Sequence, residues 1–407
     1  MKENHLSMVG TFSKHPRAWG FRDDTEVVDA TGALLDLNDG KWYLDWVCGL
    51  GSNLLGYDYD PIVRAVVDQI KHGVGFSLPH RLEREVANKL AFVVGSRIPG
   101  FTYENTYVRF AKTGSDATSM AVRLARAITG KDMILHCGYS GWGSEFIAAS
   151  PPAHGITVDQ KRIIQTFSFG AANDLAGKLA RGQVAAVIME QGIVDPPEGY
   201  YNEVRRLCDE AGALLIIDEV VTGLRYAVGG ASEKYGIQPD LVVMGKALGN
   251  GFPISAVLGP KEYLDWFNRD DPVFCSSTHW GEAASLAAAN VVLDVVSDSF
   301  VRDIYGVGYE LIQEMRAAGW NIVGHPQRSL MVFEDDIERA FFVHGMKEQG
   351  ILMNRPNFVS LAHTYREVVQ TSTAAMKVRV LWDSVDKDHV AEMMPKNKIP
   401  HVLFKGR

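Results

Sequence analysis

The segment that decides the fold lies in the middle of the chain and reads Ala213-Leu214-Leu215-Ile216-Ile217-Asp218-Glu219. An apolar run of this length, ending at a carboxylate, predicts a short strand buried on both faces, and such strands are typical of parallel sheets. Similar apolar runs alternate with helical patterns on both sides of it, at residues 107–111, 133–135, 184–189, 241–244 and 254–258. This alternation predicts a mostly parallel sheet covered by helices on both faces, a three-layer α/β/α arrangement.

Helical spacing and turn signals outline the remainder of the chain. Residues 60–72 predict a helix with one apolar face, formed by Ile62, Val63, Val66, Val67 and Ile70. Residues 81–94 and 284–296 predict two more helices. Near the start, an Asn-Asp-Gly turn at 38–40 between apolar runs at 26–30 and 42–46 predicts a hairpin. We expect an N-terminal segment (1–55), a large domain (56–297) and a smaller C-terminal α+β domain (298–407).

Composition narrows the possible functions. The chain has 407 residues, of which 46% are hydrophobic and 22% are charged, and these values exclude disordered and fibrous classes of protein. Its net charge of −8 argues against a nucleic-acid partner, because nucleic-acid binders usually carry a basic excess. The four cysteines are widely scattered, which favours a reducing compartment over a disulfide framework. Without an apolar run of membrane-spanning length or a secretory signal, we expect a cytoplasmic protein with no membrane partner.

Chemically active residues follow the predicted strands, where ligands bind in open α/β sheets. Taken singly, each has an ordinary structural explanation, such as a helix cap, a salt bridge or a surface lysine. Their convergence on one edge of the sheet favours a ligand site instead. The residues are Gly114 and Ser115 in a turn that leads into a helix, Tyr139, Glu190, Asp218 with Glu219, and Lys246.

One ligand requires all of these groups. The Gly114 turn at a helix N-terminus suits a phosphate, because backbone N–H groups and the helix dipole favour an anion. Lys246, in a partly dry site, would be a nucleophile toward an aldehyde. Asp218, buried at its strand end, would require a cationic partner, and Tyr139 would cover a flat ring. Pyridoxal 5′-phosphate (PLP) carries a phosphate, an aldehyde, a ring nitrogen that must stay protonated, and a flat ring.

The same residues carry a resemblance to a known family. Residues 214–225, the glycines at 229–230 and residues 245–254 resemble class-III PLP-dependent aminotransferases, with a step of 28 residues from Asp218 to Lys246. Within that family the sequence is most similar to the glutamate-1-semialdehyde 2,1-aminomutase group. The resemblance extends from about residue 42 to about residue 296. It implies the PLP-dependent transferase fold of type I, with PLP as cofactor.

The resemblance implies a role for each candidate residue. Lys246 matches the lysine that forms the Schiff base and moves the proton, and Asp218 matches the carboxylate that pairs with the ring nitrogen. Val220 and Tyr139 match the residues on the two faces of the ring. Glu190 matches a glutamate near the cofactor's end of the pocket.

The phosphate site and the partner follow from the same resemblance. Gly114 and Ser115 match the phosphate-binding turn. Thr278 matches a threonine that reaches the phosphate of the neighbouring subunit's cofactor. The resemblance therefore implies a homodimer with shared active sites, which acts on small amine and carbonyl substrates.

Some positions depart from the family pattern, and they leave the reaction open. Tyr-His-Gly is Tyr-Ser-Gly here, with Ser140; Glu-Pro is Glu-Gln, with Gln191; and Gly-Asn-Pro is Gly-Glu-Ala, with Glu282. The expected function is an aminotransferase that moves an amino group between an amine or amino acid and a carbonyl compound. The alternative is intramolecular transfer of the glutamate-1-semialdehyde 2,1-aminomutase type. A third hypothesis, a catalytically silent PLP-binding scaffold, is disfavoured because Lys246 and Asp218 are both present.

Overall fold

The computed structural model describes residues 25–148, 154–387 and 390. These residues form two compact units, one of residues 49–305 and one in which residues 25–48 join the described residues from 306 onward. The division at 55 and 297 concerns separately folding domains, and it stays a prediction.

The described strands and helices alternate through the larger unit. The strands are β1 (Val27–Thr31), β2 (Leu34–Leu37), β3 (Trp42–Asp45), β4 (Thr106–Ala111), β5 (Met133–Cys137), β6 (Ile164–Thr166), β7 (Val184–Glu190), β8 (Leu214–Glu219), β9 (Leu241–Met244), β10 (Ser255–Pro260), β11 (Asn321–His325), β12 (Arg328–Val332), β13 (Ile351–Leu352) and β14 (Asn357–Phe358). The helices are α1 (Cys48–Gly51), α2 (Asp60–Lys71), α3 (Arg81–Val93), α4 (Gly114–Thr129), α5 (Ser144–Ile147), α6 (Val158–Ile163), α7 (Ala172–Leu179), α8 (Tyr200–Ala211), α9 (Gly230–Tyr235), α10 (Lys261–Leu264), α11 (Ala283–Val295), α12 (Asp298–Ala317), α13 (Asp336–Glu348) and α14 (Tyr365–Ser384). Short 3₁₀ helices lie at Gly95–Arg97, Lys246–Gly249 and Asp265–Phe267.

A sheet in the order β4-β10-β9-β8-β7-β5-β6 forms the middle of the larger unit. The strands from β9 to β6 run parallel, whereas β10 is antiparallel to both of its neighbours, β9 and β4. The prediction of a mostly parallel sheet is confirmed, and the strand at 241–244 has its predicted bounds. The other predicted strands are each displaced or extended by one or two residues.

Helices cover both faces of this sheet. On one face, Met120 and Leu124 of α4 pack in a core with Ile216 of β8. On the other face, Val204 of α8 packs in a second core with Leu215. Because side chains alternate along a strand, the even-numbered residues of β8 face α4 and the odd-numbered residues face α8. This alternation decides which strand-end groups lie together.

The expected apolar face of α2 is divided in the structure. Ile62 and Val66 are buried, as predicted, but Val63, Val67 and Ile70 are 43%, 49% and 53% exposed. The apolar stripe is wider than the surface that α2 packs against within this chain. The prediction that all five residues face one core is therefore wrong for the single chain.

The smaller unit contains two sheets, in the orders β1-β2-β3-β13 and β11-β12-β14, together with helices, as expected for an α+β unit. The predicted turn at 38–40 is present: Gly40 has φ +75° and its N–H donates to Leu37 O at 2.9 Å. However, the strand that enters this turn is β2, which the sequence analysis missed, and β1 pairs with β2 instead.

Within the described residues, no single helix combines the length and the apolar character needed to cross a membrane. Only α11 and α12, taken together across the bend between them, meet both criteria.

Candidate active site

Two buried carboxylates lie side by side at the carboxyl ends of neighbouring strands. Glu190 ends β7 and lies directly opposite Asp218 of β8 in the parallel register. The two residues are 8% and 2% exposed. Paired residues in adjacent strands place their side chains on the same face of the sheet. Both carboxylates therefore lie on the face that α4 covers.

The environment of Asp218 opposes its ionisation. Its Oδ1 accepts a hydrogen bond from the Val220 backbone N–H at 3.0 Å, which fixes the side chain at the strand end. Burial raises the pKa of Asp218 to about 7, and the charge of Glu190 adds to this shift. The charge of Lys246 acts in the opposite direction. A cation placed beside Asp218 would therefore be bound strongly, since it would relieve the cost of burying the charge.

Glu219 does not join this pair, although it is the next residue along the strand. Its carboxylate accepts hydrogen bonds from Ala231 N at 2.9 Å, Ser232 N at 2.7 Å and Ser232 Oγ at 2.7 Å, and it also accepts one from Thr222 Oγ1. It holds the loop after β8 to the start of α9. The expectation that Glu219 belongs to the ligand edge is wrong, because alternation along β8 places it on the α8 face.

Lys246 follows β9 and begins a 3₁₀ helix in an unusual backbone conformation. Its φ is +42°, and the preceding Gly245 is extended with φ −174°. Left-handed conformations of residues other than glycine are strained and cluster at functional sites. Because β9 is the neighbour of β8, this turn places the partly buried Lys246 close enough to Asp218 to lower the pKa of that carboxyl.

The turn before α4 is a built helix N-terminus. Thr113 caps the helix and accepts a hydrogen bond from Asp116 N at 3.1 Å, while Asp116 Oδ2 accepts one from Thr113 N at 2.9 Å. The N–H groups of Gly114 and Ser115 belong to the first turn, where a helix provides no acceptor of its own. A Cβ on Gly114 would lie 2.9 Å from both methyl groups of Val220. The turn and Val220 are therefore in close contact, and only glycine fits there.

Ser115 faces a second close approach. A Cβ on Gly141, whose φ is +112°, would lie 2.4 Å from Ser115 Oγ, and that oxygen accepts a hydrogen bond from Trp142 N at 3.3 Å. A cavity of about 260 Å³ opens beside the turn. Its lining includes Ser115, Trp142, Cys275 and Trp280.

Tyr139 lies above the carboxylate pair. Its backbone N–H donates to Glu190 Oε2 at 3.4 Å, and its side chain is 46% exposed. Burial raises the pKa of the Tyr139 hydroxyl, and the charges of Asp218 and Glu190 raise it further. Tyr139 is therefore a neutral ring at the mouth of this site.

The structure thus brings most of the predicted residues to one place. Contacts, strand register and electrostatic effects connect Gly114, Ser115, Tyr139, Glu190, Asp218, Val220 and Lys246. Thr278 is different: it is exposed in a turn between β10 and α11. Trp142 and Trp280, which line the cavity, were missed, and the only sequence signal was their position next to predicted site residues.

Comparisons with known proteins identify the family. The sequence pattern of class-III aminotransferases matches residues 22–353. The chain belongs to the class-III aminotransferase family. This membership confirms the expected enzyme class and the expected cofactor, PLP.

Two of the similar class-III enzymes are called glutamate-1-semialdehyde 2,1-aminomutase. The protein from Ignicoccus hospitalis is 33% identical over 296 residues, which cover 68% of this chain and 68% of the relative. The protein from Methanothermobacter thermautotrophicus is 29% identical over 387 residues, which cover 86% of this chain and 90% of the relative. The expected similarity to this group is confirmed, and both the aminotransferase and the aminomutase reactions are compatible with it.

Solved structures of other class-III enzymes confirm fold type I. The FumI protein of Sphingopyxis sp. MTA144, solved in its PLP internal aldimine form, superposes with a TM-score of 0.82. It is 27% identical, and the match covers 94% of this chain and 95% of that chain. A glutamate-1-semialdehyde aminomutase from Pseudomonas aeruginosa PAO1 has a TM-score of 0.79 at 21% identity, with 89% of each chain covered, and it shares the fold.

The site residues of this class-III enzyme fit PLP. The first turn of α4 presents N–H groups to an anion, and the contact between Gly114 and Val220 leaves no room for a side chain between them. Asp218 is a buried carboxylate that lacks a full counter-charge, and it suits a protonated ring nitrogen. Lys246 is the amine nearest in the fold to that carboxylate along the neighbouring strand. The donor set therefore matches a phosphate, a pyridinium and an aldehyde.

Proposed function

We propose that this site transfers amino groups between small amines and carbonyl compounds, with Lys246 as the Schiff-base lysine that holds PLP. The observation that carries the proposal is the placement of Lys246 beside the buried Asp218 at the ends of β9 and β8. When bound, PLP supplies an aldehyde and an electron sink. The chain supplies the nucleophile, the counter-charge and the anion site.

Lys246 has two tasks in this proposal. Its amine holds the cofactor covalently until a substrate amine replaces it. The released Lys246 Nζ then removes and returns the proton on the substrate carbon, as general base and acid. The strained turn at Gly245–Lys246 supports this role, because it fixes where the side chain leaves the backbone.

Asp218 keeps the ring nitrogen protonated, and Glu190 beside it increases the demand for that proton. A second buried negative charge makes the pair a stronger partner for a cation than Asp218 alone. Val220, held against Gly114, and Tyr139 would contact the two faces of the ring. Gly114 and Ser115 would bind the phosphate through their N–H groups and the Ser115 hydroxyl.

We also propose a homodimer with shared sites, in which Thr278 reaches the phosphate bound by the partner. In its support, Thr278 is exposed in the single chain. The exposed half of the α2 stripe, Val63, Val67 and Ile70, is a contiguous apolar surface of the kind that interfaces cover. A reducing location, the cytoplasm, is supported by the free thiols Cys48, Cys137, Cys208 and Cys275.

A two-substrate test separates the aminotransferase from the aminomutase. The enzyme loaded with PLP is given an amine donor alone, and released carbonyl product and pyridoxamine phosphate are measured. An aminotransferase releases both and needs a separate acceptor to complete the cycle. An aminomutase converts one molecule into its isomer without either release. If no amine donor changes the cofactor at all, the proposed function is wrong.

A further inference from the structure

An ion pair joins two segments that are far apart in the sequence. Lys112 Nζ lies 2.7 Å from Glu282 Oε1, and the two side chains are only 15% and 13% exposed. These residues are 170 positions apart. Lys112 directly precedes Thr113, the cap of α4, so the pair is attached to the base of the Gly114–Ser115 turn.

Glu282 is held firmly on its own side of the pair. It caps α11, accepting hydrogen bonds from Ala284 N at 2.8 Å and from Ser285 N at 3.1 Å. Burial raises its pKa, but the hydrogen bonds from Lys112 and Ser285 outweigh this effect and lower the pKa overall. The carboxylate is thus a charged anchor fixed to a helix N-terminus.

Strand β4 holds the same loop at a second point. Arg109 Nη2 donates to Cys275 O at 3.3 Å, whereas Lys112 binds Glu282 at the other end of the loop. The turn that leads into α4 is fixed from the other side as well, because Ser255 Oγ donates to Thr113 O at 2.7 Å. The turn and the loop that carries Thr278 are therefore connected through β4.

We propose that Lys112 and Glu282 are positioning residues that hold the phosphate-binding turn against α11 and thereby set the affinity for phosphorylated cofactor. This inference rests on the proposed function and adds a residue pair to it. If Lys112 acted as a free cation toward the phosphate, removal of Glu282 would strengthen cofactor binding. A pair that acts as a mechanical tie requires both members, so the loss of either one weakens binding.

The experiment uses Lys112→Met, Glu282→Gln and the double variant of the full chain. Dissociation constants are measured for PLP and for pyridoxal, which lacks the phosphate. We expect each single variant to bind PLP about tenfold more weakly, a coupling of about 1.4 kcal/mol, which is ordinary for residues in contact. The double variant should be no weaker than either single one. Affinity for pyridoxal should be unchanged.

A matched control is the ion pair of Arg205 with Asp240, at 2.8 Å and with side chains 19% and 20% exposed. It lies just before β9, at the opposite edge of the sheet, so Arg205→Met should not change the ratio of PLP to pyridoxal affinity. Thermal unfolding of each cofactor-free variant verifies that it is folded.

Several results would overturn the inference. Opposite effects of the two single variants would show that Lys112 acts through its charge. Equal losses for PLP and pyridoxal, or no loss, would show that the pair does not act on the phosphate turn. A wild-type chain that binds neither compound would refute the proposed function itself, and the inference with it.

Discussion

Asp218 and Glu190 are two carboxylates that are almost fully buried next to each other, and this placement dominates the chemistry of single residues in the site. A buried charge is costly unless a cation or a proton compensates it. The raised pKa of Asp218 shows that a proton is a close competitor when the cofactor is absent. In the loaded enzyme, the ring nitrogen would provide the positive charge.

This arrangement predicts how stability depends on pH in the cofactor-free protein. The pKa of Asp218 rises from an ordinary 3.8 to about 7 on folding, so the folded state binds more protons between these values. The stability from Asp218 is full below about pH 4 and is lost as the pH rises through about 7. Asp218→Asn lacks this loss, and its free energy of unfolding should gain on that of the wild type by about 2–4 kcal/mol across the window.

Urea unfolding of both cofactor-free proteins at about pH 5 and about pH 8 measures this difference. A stability difference that stays constant between the two pH values would contradict the raised pKa. Glu219→Gln serves as a neighbouring control: it should destabilise the protein because it disturbs the bonds to Ser232 and Ala231, but it should leave the cofactor spectrum unchanged.

The sequence predicted the positions of Asp218, Glu190 and Lys246 because each directly follows an apolar run. It did not separate Asp218 from Glu219, since both follow the same run. The partners that hold Glu219, Ala231 and Ser232, lie 12 and 13 residues further along, and only the folded loop brings them to it. Strand alternation alone would have indicated that the two carboxylates face opposite layers.

At the scale of elements, the close contact between the α4 turn and the loop after β8 is the decisive feature. Gly114→Ala would place a methyl group 2.9 Å from both methyl groups of Val220, so the turn or the valine must move. We expect a loss of about 1–3 kcal/mol in stability from overpacking, together with weaker PLP binding. Denaturant unfolding and PLP titration measure the two effects.

A rescue variant and a control make this prediction specific. Val220→Ala in the Gly114→Ala background removes the conflicting methyl groups and should restore much of the stability. Gly177→Ala in α7, where nothing lies within 4 Å of the new methyl group, should instead stabilise the protein by about 0.5–1 kcal/mol. Equal behaviour of the two alanine variants would mean that the contact at Gly114 is unimportant.

The elements themselves were predictable where the pattern was strong. Long periodic helices such as α3 and apolar strands such as β9 have nearly their expected bounds. Strand β2 was missed because its four residues, Leu34–Leu37, are too few for a clear pattern. The tie between Lys112 and Glu282 could not be predicted, since 170 residues separate its members.

At the scale of the whole molecule, the proposed homodimer assigns a role to exposed groups. Thr278 is exposed in one chain, and so is half of the apolar stripe on α2. The sequence implied the dimer only through its family resemblance, because a single chain holds no record of its partner. A closed two-fold dimer would make the contact of Thr278 with the partner's phosphate reciprocal.

Thr278→Ala should therefore weaken PLP binding even though the residue lies far along the chain from Gly114. Loss of one hydrogen bond to a charged group costs about 1.5–3 kcal/mol, or about one to two orders of magnitude in affinity. Ser277→Ala, next to it and also exposed, is the control and should bind normally. Sedimentation and PLP titration over a dilution series would reveal a failure: a monomer that binds PLP as tightly as the dimer.

The central claim is that Lys246 holds the cofactor, and direct chemical mapping tests it most simply. The PLP-loaded protein is treated with borohydride, which makes the lysine–cofactor bond permanent, and the labelled peptide is identified by mass spectrometry. We predict a single label on Lys246, which is absent in a folded Lys246→Ala variant that also lacks turnover. A label on another lysine, or full turnover by Lys246→Ala, would contradict the claim.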